Sequence, residues 1–309
     1  MGRRRSGADP AFKYGTLILS SSVLVLALIY FYELYTGSVP TLRTGLGFVF
    51  GSIWDPVNSH FGVFPMLYGS LVTSAIALVI GVPVSLGVAI FLSELSPIGL
   101  RSPVSFVVEM LAAVPSVVYG LWGLFVLAPL LRTDVYPYLE RYLGFLPIFQ
   151  GTIYGVSMLT AGIILAIMII PIVASISRDA LLAVPDSQRE AALALGATKS
   201  EAIRMSVLSY ARSGIMASVF LGFGRAFGET MAVTMLIGNT PLVSASLFSP
   251  GYSLASLIAN EYTEASSAVY ISALIEAGLV LLFVSFFANV IARLMIGRLI
   301  RSREAASYL

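Results

Sequence analysis

Six apolar stretches constrain this chain more than any other feature in it. They occupy residues 15–35, 66–92, 104–131, 153–176, 213–237 and 269–292. A helix that crosses the hydrocarbon core of a bilayer needs ~20 mostly apolar residues. Backbone N–H and C=O groups in lipid have no water to bond, so apolar spans of this length must be helical. The charged fraction agrees: it is 11% over 309 residues, where a soluble domain carries about 25%. The expectation is an all-α membrane protein with six transmembrane helices, one domain and no internal repeat. Pro83, Pro115 and Pro171 fall inside spans, and each should kink its helix because proline removes a backbone donor.

Lys and Arg set the orientation, since cytoplasmic loops collect them. Of the 18 such residues, 14 fall on the side that carries the N-terminus. Arg43, Arg132 and Arg141 lie on the other side, and Arg225 is inside a span. Both termini are therefore expected in the cytoplasm, with 1–14 and 299–309 as short cytoplasmic segments around a permease-like body at 15–298. MGRRRS fits a myristoylation pattern and its basic start resembles a signal peptide. The apolar run that follows is too long for a signal core, so an uncleaved first helix is expected. The chain has no cysteine and one histidine, His60, which leaves no thiolate or histidine cluster for a metal. No metal or cofactor is expected. GATKS (196–200) has Thr198 where a phosphate-binding loop requires its second glycine, so any nucleotide energy must come from another chain.

The longest cytoplasmic segment, 177–214, reads as helix, glycine turn, helix. Ser187-x-x-Glu190 and Thr198-x-x-Glu201 each have capping-box spacing, and Gly196 between them can end a helix in the left-handed region. A plain solvated connector fits this pattern. A DNA-binding helix-turn-helix fits it superficially through Arg189, Lys199 and Arg204, but basic residues beside a membrane are expected anyway and no other nucleic-acid feature occurs. A third reading is a docking element, whose small apolar residues Ala191 and Ala192 could enter a groove on a soluble partner.

The run GRAFGETMAV (224–233) places Arg225 and Glu229 deep in the fifth span. Arg225 is 12 residues beyond Ser213, ~18 Å along a helix rising 1.5 Å per residue. A charge at that depth costs about 3 kcal/mol or more. Glu229 is expected one turn further along the helix, on the same face. Two readings follow: an internal ion pair that pins helices together, or an arginine that lines a path and offers paired donors to an oxyanion. Gly222, Gly224 and Gly228 would let another backbone approach. Thr230 adjoins the pair. Asn239 ends the span as a cap or ligand contact. Glu276 in the last span either lines an outer vestibule or pairs. Glu109 has an interfacial position, and Ser116 is the candidate for satisfying the backbone freed at Pro115.

Several runs carry a resemblance. Glu190-Ala191-Ala192, then Gly196, with Leu208 further on, resembles the Glu-Ala-Ala loop of ATP-binding-cassette importer permeases; Ser206 and Ser209 stand where that family has Ile and Pro. WDPV (54–57), the stretch from FGVFPMLYGSLVTS to FLSEL (61–95), PSVVYGLWGLFVLAPLL (115–131) and GRAFGETMAVTMLIGN (224–239) look like the phosphate-specific importer permeases of the PstC type. The resemblance implies a type I importer permease fold with cytoplasmic coupling helices. It implies as partners a homologous PstA-type permease, two ATPase subunits, an extracytoplasmic phosphate-binding protein and the lipid bilayer itself. It assigns Arg189, Glu190, Ala191, Ala192 and Gly196 to ATPase coupling. It makes Arg225 and Glu229 pathway residues, and Thr230, Asn239 and Glu276 join them as pathway candidates by their positions in or beside the spans. A PstA-like, sulfate or molybdate permease is the nearest rival. An intramembrane protease would need a Ser–His or paired Asp set at membrane depth, which the chain lacks, and a stand-alone channel would not need a capped elbow.

Overall fold

The computed structural model describes residues 8–43 and 45–307. The MGRRRS pattern lies outside the described residues. Among them, six helices are long and apolar enough to cross a membrane. The helices in chain order are α1 (Ala8–Leu42), α2 (Leu46–Phe50), α3 (Phe64–Leu95), α4 (Ile98–Ala113), α5 (Ser116–Leu143) and α6 (Met158–Leu182). There follow α7 (Asp186–Ala194), α8 (Lys199–Gly228), α9 (Met231–Leu236), α10 (Leu254–Glu261) and α11 (Ala268–Ser307). A small hairpin, β1 (Trp54–Asp55) paired antiparallel with β2 (His60–Phe61), precedes α3. Helix α11 runs on through the segment expected as a separate tail.

Helix α6 is the centre of the bundle. It packs most extensively on α3 and then on α8. Glycine makes the close approaches possible. A Cβ on Gly81 of α3 would stand 2.9 Å from Ile169 of α6, and one on Gly162 of α6 would stand 2.5 Å from Ile76 of α3. Each helix thus lends a glycine seat to the other's isoleucine, which replaces a hydrophobic driving force that lipid does not provide. At the edge, α1 packs on α11 and leaves Leu19, Leu24 and Leu28 more than half exposed, as a lipid-facing helix should.

Two spans differ from expectation. The third was expected over 104–131, but the apolar run is cut at Val114 and Pro115, and the spanning helix is Ser116–Leu143. Proline disfavours helical backbone in the residue before it, and Val114 is extended at φ −67, ψ 127. The part before the cut is a separate helix, α4, ending on the side that carries α7. Hydropathy does not register the cut because both sides of it are apolar. Tyr119 satisfies the exposed end of α4 by donating its hydroxyl to the Leu111 carbonyl at 2.9 Å; the sequence reading favoured Ser116 for this. By contrast, α3 and α6 continue as helix through Pro83 and Pro171.

The fifth span was expected over 213–237. It begins earlier, at Lys199, and stops at Gly228. Glu229 is extended (φ −69, ψ 127), and a short helix, α9, restarts at Met231. The irregular segment after α9 then crosses the start of α6. Its carbonyls at Leu247 and Ser249 accept the first backbone donors of α6, from Leu159 and Met158. Non-helical backbone inside a bundle is tolerated when it is satisfied in this way.

Candidate functional site

The break in the fifth span sets the geometry around Arg225. Arg225 occupies the last turn of α8, where its charge complements the negative end of the helix dipole. Glu229 is past the helix end, so it is not one turn above Arg225 on a shared face. Among the described residues no ion pair or hydrogen bond joins the two. The expectation of an internal i,i+4 bridge needed a continuous helix, and the chain does not supply one. Glu229 turns instead to α9, where a carboxylate oxygen accepts the Ala232 N–H at 3.5 Å, and the positive end of that short helix favours the negative charge.

Arg225, Glu229, Gly224 and Gly228 line one open groove of about 580 Å³, together with Ile172 of α6 and Asn289 of α11. The Arg225 side chain is exposed into it. The three glycines divide by role. A Cβ on Gly222 would come within 2.6 Å of Val173, so this glycine seats α8 on α6. Nothing lies within 4 Å of the Cβ positions of Gly224 and Gly228, so these two keep the groove clear beside the guanidinium. Tyr119 of α5 stands within electrostatic reach of Arg225.

The second cluster is the helix–turn–helix elbow that leads from α6 into α8. Helix α7 ends as expected: Gly196 is left-handed at φ 87, and the Ala197 N–H reaches the Ala192 carbonyl while the Gly196 N–H reaches Leu193. That pairing closes the helix with a Schellman motif. Thr198 and Glu201 form the capping box that opens α8. The box expected at Ser187 and Glu190 does not form, because α7 begins at Asp186 behind Pro185, which places Ser187 inside the first turn. Between the two helices, Ala191, Ala192, Leu195, Gly196 and Met205 line a concave surface of about 530 Å³. Leu195 is 90% exposed there, an apolar side chain left in water in this single chain. Ser206, at the position where the resembled family has Ile, donates to the Gln188 carbonyl at 2.9 Å and ties α8 back to α7.

Residues 81–301 match the family described as binding-protein-dependent transport system inner membrane component. The chain belongs to that family. Two relatives are 44% identical to this permease. The phosphate transport system permease protein PstC of Mesorhizobium japonicum aligns over 96% of this chain and 92% of its own length. The protein of the same description from Haemophilus influenzae aligns over 94% of each. A solved bacterial ABC transporter involved in import of the polysaccharide alginate superposes with a TM-score of 0.56 at 16% identity, covering 94% of this chain and 99% of its own. The last likeness speaks for the fold alone. The permease is a multi-pass membrane protein with an ABC importer permease fold.

The remaining sequence candidates are placed as follows. Thr230 stands at the helix break beside Glu229 and starts α9, and its carbonyl accepts the Thr234 hydroxyl at 2.8 Å. Asn239, left-handed at φ 46, donates to the Thr234 carbonyl at 2.8 Å and so closes α9. Glu276 is 4% exposed and sits between α1 and α11, hydrogen-bonded to Thr41, whose hydroxyl also meets Ser272 at 3.1 Å. Neither Asn239 nor Glu276 lines the groove. Glu109 lies on α4, not in a span, and accepts from Arg178 at the end of α6 at 3.3 Å.

Three residues escaped the sequence reading. Asn289 lines the groove and was detectable as a polar residue in the last apolar run. Glu261 accepts hydrogen bonds from Trp54 and Tyr270, each at 2.6 Å, and from Tyr252 at 3.2 Å, so Trp54 of the WDPV run anchors the β1–β2 hairpin. Burial, first, and then contact with Glu261 push the Tyr252 hydroxyl pKa up. Glu94 pairs with Arg189, and nothing in the local sequence connects the two.

Proposed function

We propose that this permease is the PstC-type subunit of an ATP-driven inorganic phosphate importer. One observation carries the proposal: the Arg225 guanidinium, without an ion-pair or hydrogen-bond partner among the described residues, faces an open groove at a helix break, beside glycines that keep its approach clear. Arginine presents two parallel donors to a tetrahedral oxyanion, and discontinuous helices are a recurrent way of building binding sites at the bilayer midplane. The groove is open on one side, which suits completion by a homologous PstA-type permease. Arg225 handles the anion, Glu229 and Thr230 shape the break beside it, and Asn239 and Glu276 hold the surrounding helices.

In this reading both termini are cytoplasmic, with residues 15–298 forming the permease domain and 177–214 its coupling loop. An ATPase subunit covers the concavity of Ala191, Ala192, Leu195 and Gly196, with Arg189 and Glu190 beside it; a second ATPase serves the partner permease. An extracytoplasmic phosphate-binding protein delivers the ion to the opposite face. The subunit itself does no bond chemistry.

The test is ATP-dependent phosphate uptake in vesicles holding the full complex. Arg225→Gln should lower uptake by about 30-fold or more, the scale of losing one partner of a buried charged hydrogen-bond pair, while assembly and ATP hydrolysis persist. Adding Glu229→Gln should not restore it, because the two side chains are not paired. Recovery in the double variant would mean that the two charges neutralise one another and that the ion is handled elsewhere.

A further inference from the structure

The Arg189 guanidinium joins three elements at once. It grips the Glu94 carboxylate with two bonds, Nη2 to Oε1 at 2.7 Å and Nε to Oε2 at 3.2 Å. It donates to the Leu181 and Val184 carbonyls at the end of α6, at 3.0 and 2.6 Å. It also reaches Asp186 at the start of its own helix, α7, at 3.2 Å. Glu94 belongs to α3, in a wide π turn at its cytoplasmic end, and its side chain is only 8% exposed. The adjacent Ser93 carbonyl accepts from Arg101 at 2.8 Å, so the backbone of the turn is held as well. The hydrogen bond from Glu94 is the first cause that pushes the Arg189 pKa above its ordinary value.

A two-bond arginine–carboxylate pair fixes orientation as well as distance, which a single apolar contact does not. The elements it joins are those that matter for the groove. Helix α6 contributes Ile172 to the groove wall, and α3 is locked along α6 by the Gly81 and Gly162 seats. Ala89, Leu181, Val184, Val207 and Ala211 form one apolar cluster between α3, α6 and α8, and apolar packing of this kind is non-directional.

We infer that the Glu94–Arg189 pair is the positioning link by which α7 moves α3 and α6 as one body. The inference rests on the coupling role proposed above and assigns that role a specific route. Without Glu94, Arg189 keeps its α6 carbonyls, so α7 still holds α6 but reaches α3, which packs on both α6 and α8, only through α6. ATP-driven movement of α7 then has less purchase on α3, and so on the Arg225-bearing α8 that packs against it.

The measurement is phosphate transported per ATP hydrolysed, in vesicles holding the complete complex. A residue needed only for folding lowers uptake and hydrolysis together and leaves this ratio unchanged. Glu94→Gln should keep hydrolysis and lower the ratio at least about fivefold, the lower end of typical coupling between sites. Arg189→Lys keeps the charge but loses the fork, and should lower the ratio by a smaller factor; it serves if Glu94→Gln does not assemble. Because this chain has no cysteine, Glu94→Cys with Arg189→Cys can be bridged by a bifunctional thiol reagent when the partners are also cysteine-free. The unbridged form should be uncoupled, and the bridged form should recover the ratio. An unchanged ratio in Glu94→Gln and Arg189→Lys, or a bridged protein that stays uncoupled, overturns the inference. A wild-type complex that takes up no phosphate on ATP addition overturns the transport reading as well, so the two failures are distinct.

Discussion

Single glycines show how a residue's meaning depends on what faces it. Gly222, Gly224 and Gly228 look alike in the sequence, each a small residue inside one apolar run. Only Gly222 is pressed against a neighbour, with Val173 2.6 Å from where its Cβ would stand. Gly222→Ala should therefore destabilise the subunit by about 1–3 kcal/mol through overpacking, seen as a lower midpoint of thermal unfolding in detergent. Gly224→Ala should leave the midpoint within about 0.5 kcal/mol, because its Cβ meets open space. Equal losses in both would mean that the α8 surface around Gly224 is covered in the subunit. The Arg225 and Glu229 spacing has the same dependence. Four residues apart implies one face of a helix, and that implication fails when the helix ends between them.

At the scale of elements, ends carry more information than middles. The elbow was legible because its signals are local: a left-handed glycine that closes α7 and a Thr–Glu box that opens α8. Thr198→Ala removes the side chain that accepts the Glu201 N–H at 3.4 Å and should cost about 1 kcal/mol of local stability. Amide exchange over 199–203 should then accelerate about fivefold, since 1.4 kcal/mol is about tenfold, with no change in α6. Uniform acceleration in both helices would show that the cap contributes to global rather than local stability. Ser187 illustrates the limit. Its capping spacing is correct, but Pro185 starts the helix two residues earlier and takes the position the box would need. The cuts at Val114–Pro115 and at Glu229 belong to this scale too. Both lie inside stretches that a hydropathy reading sees as one span.

For the molecule as a whole, the decisive expectation is orientation. Basic residues place the elbow in the cytoplasm and the β1–β2 hairpin outside. Val57, 91% exposed at the hairpin tip, and Lys199, exposed at the elbow, provide the check in a chain with no native thiol. Val57→Cys should react with a membrane-impermeant maleimide in intact cells, and Lys199→Cys only after the membrane is opened. The reverse pattern would invert the topology and place the elbow away from any cytoplasmic ATPase. The groove at Arg225 is also a whole-molecule feature, since α6, α8 and α11 each supply part of its wall.

The number of spans, the membrane setting, the elbow with its caps and the presence of charge in the fifth span were all determined by the sequence alone. Each rests on a local quantity: a length of apolar chain, a count of basic residues, or a cap within one helical turn. Tertiary structure decided where two spans break, which glycine is a seat and which a clearing, and that Glu94 meets Arg189 across 95 residues of chain. Those outcomes depend on neighbours distant in sequence. Proline, glycine and buried charge permit several local structures, and the packing of α3, α6 and α8 selects among them.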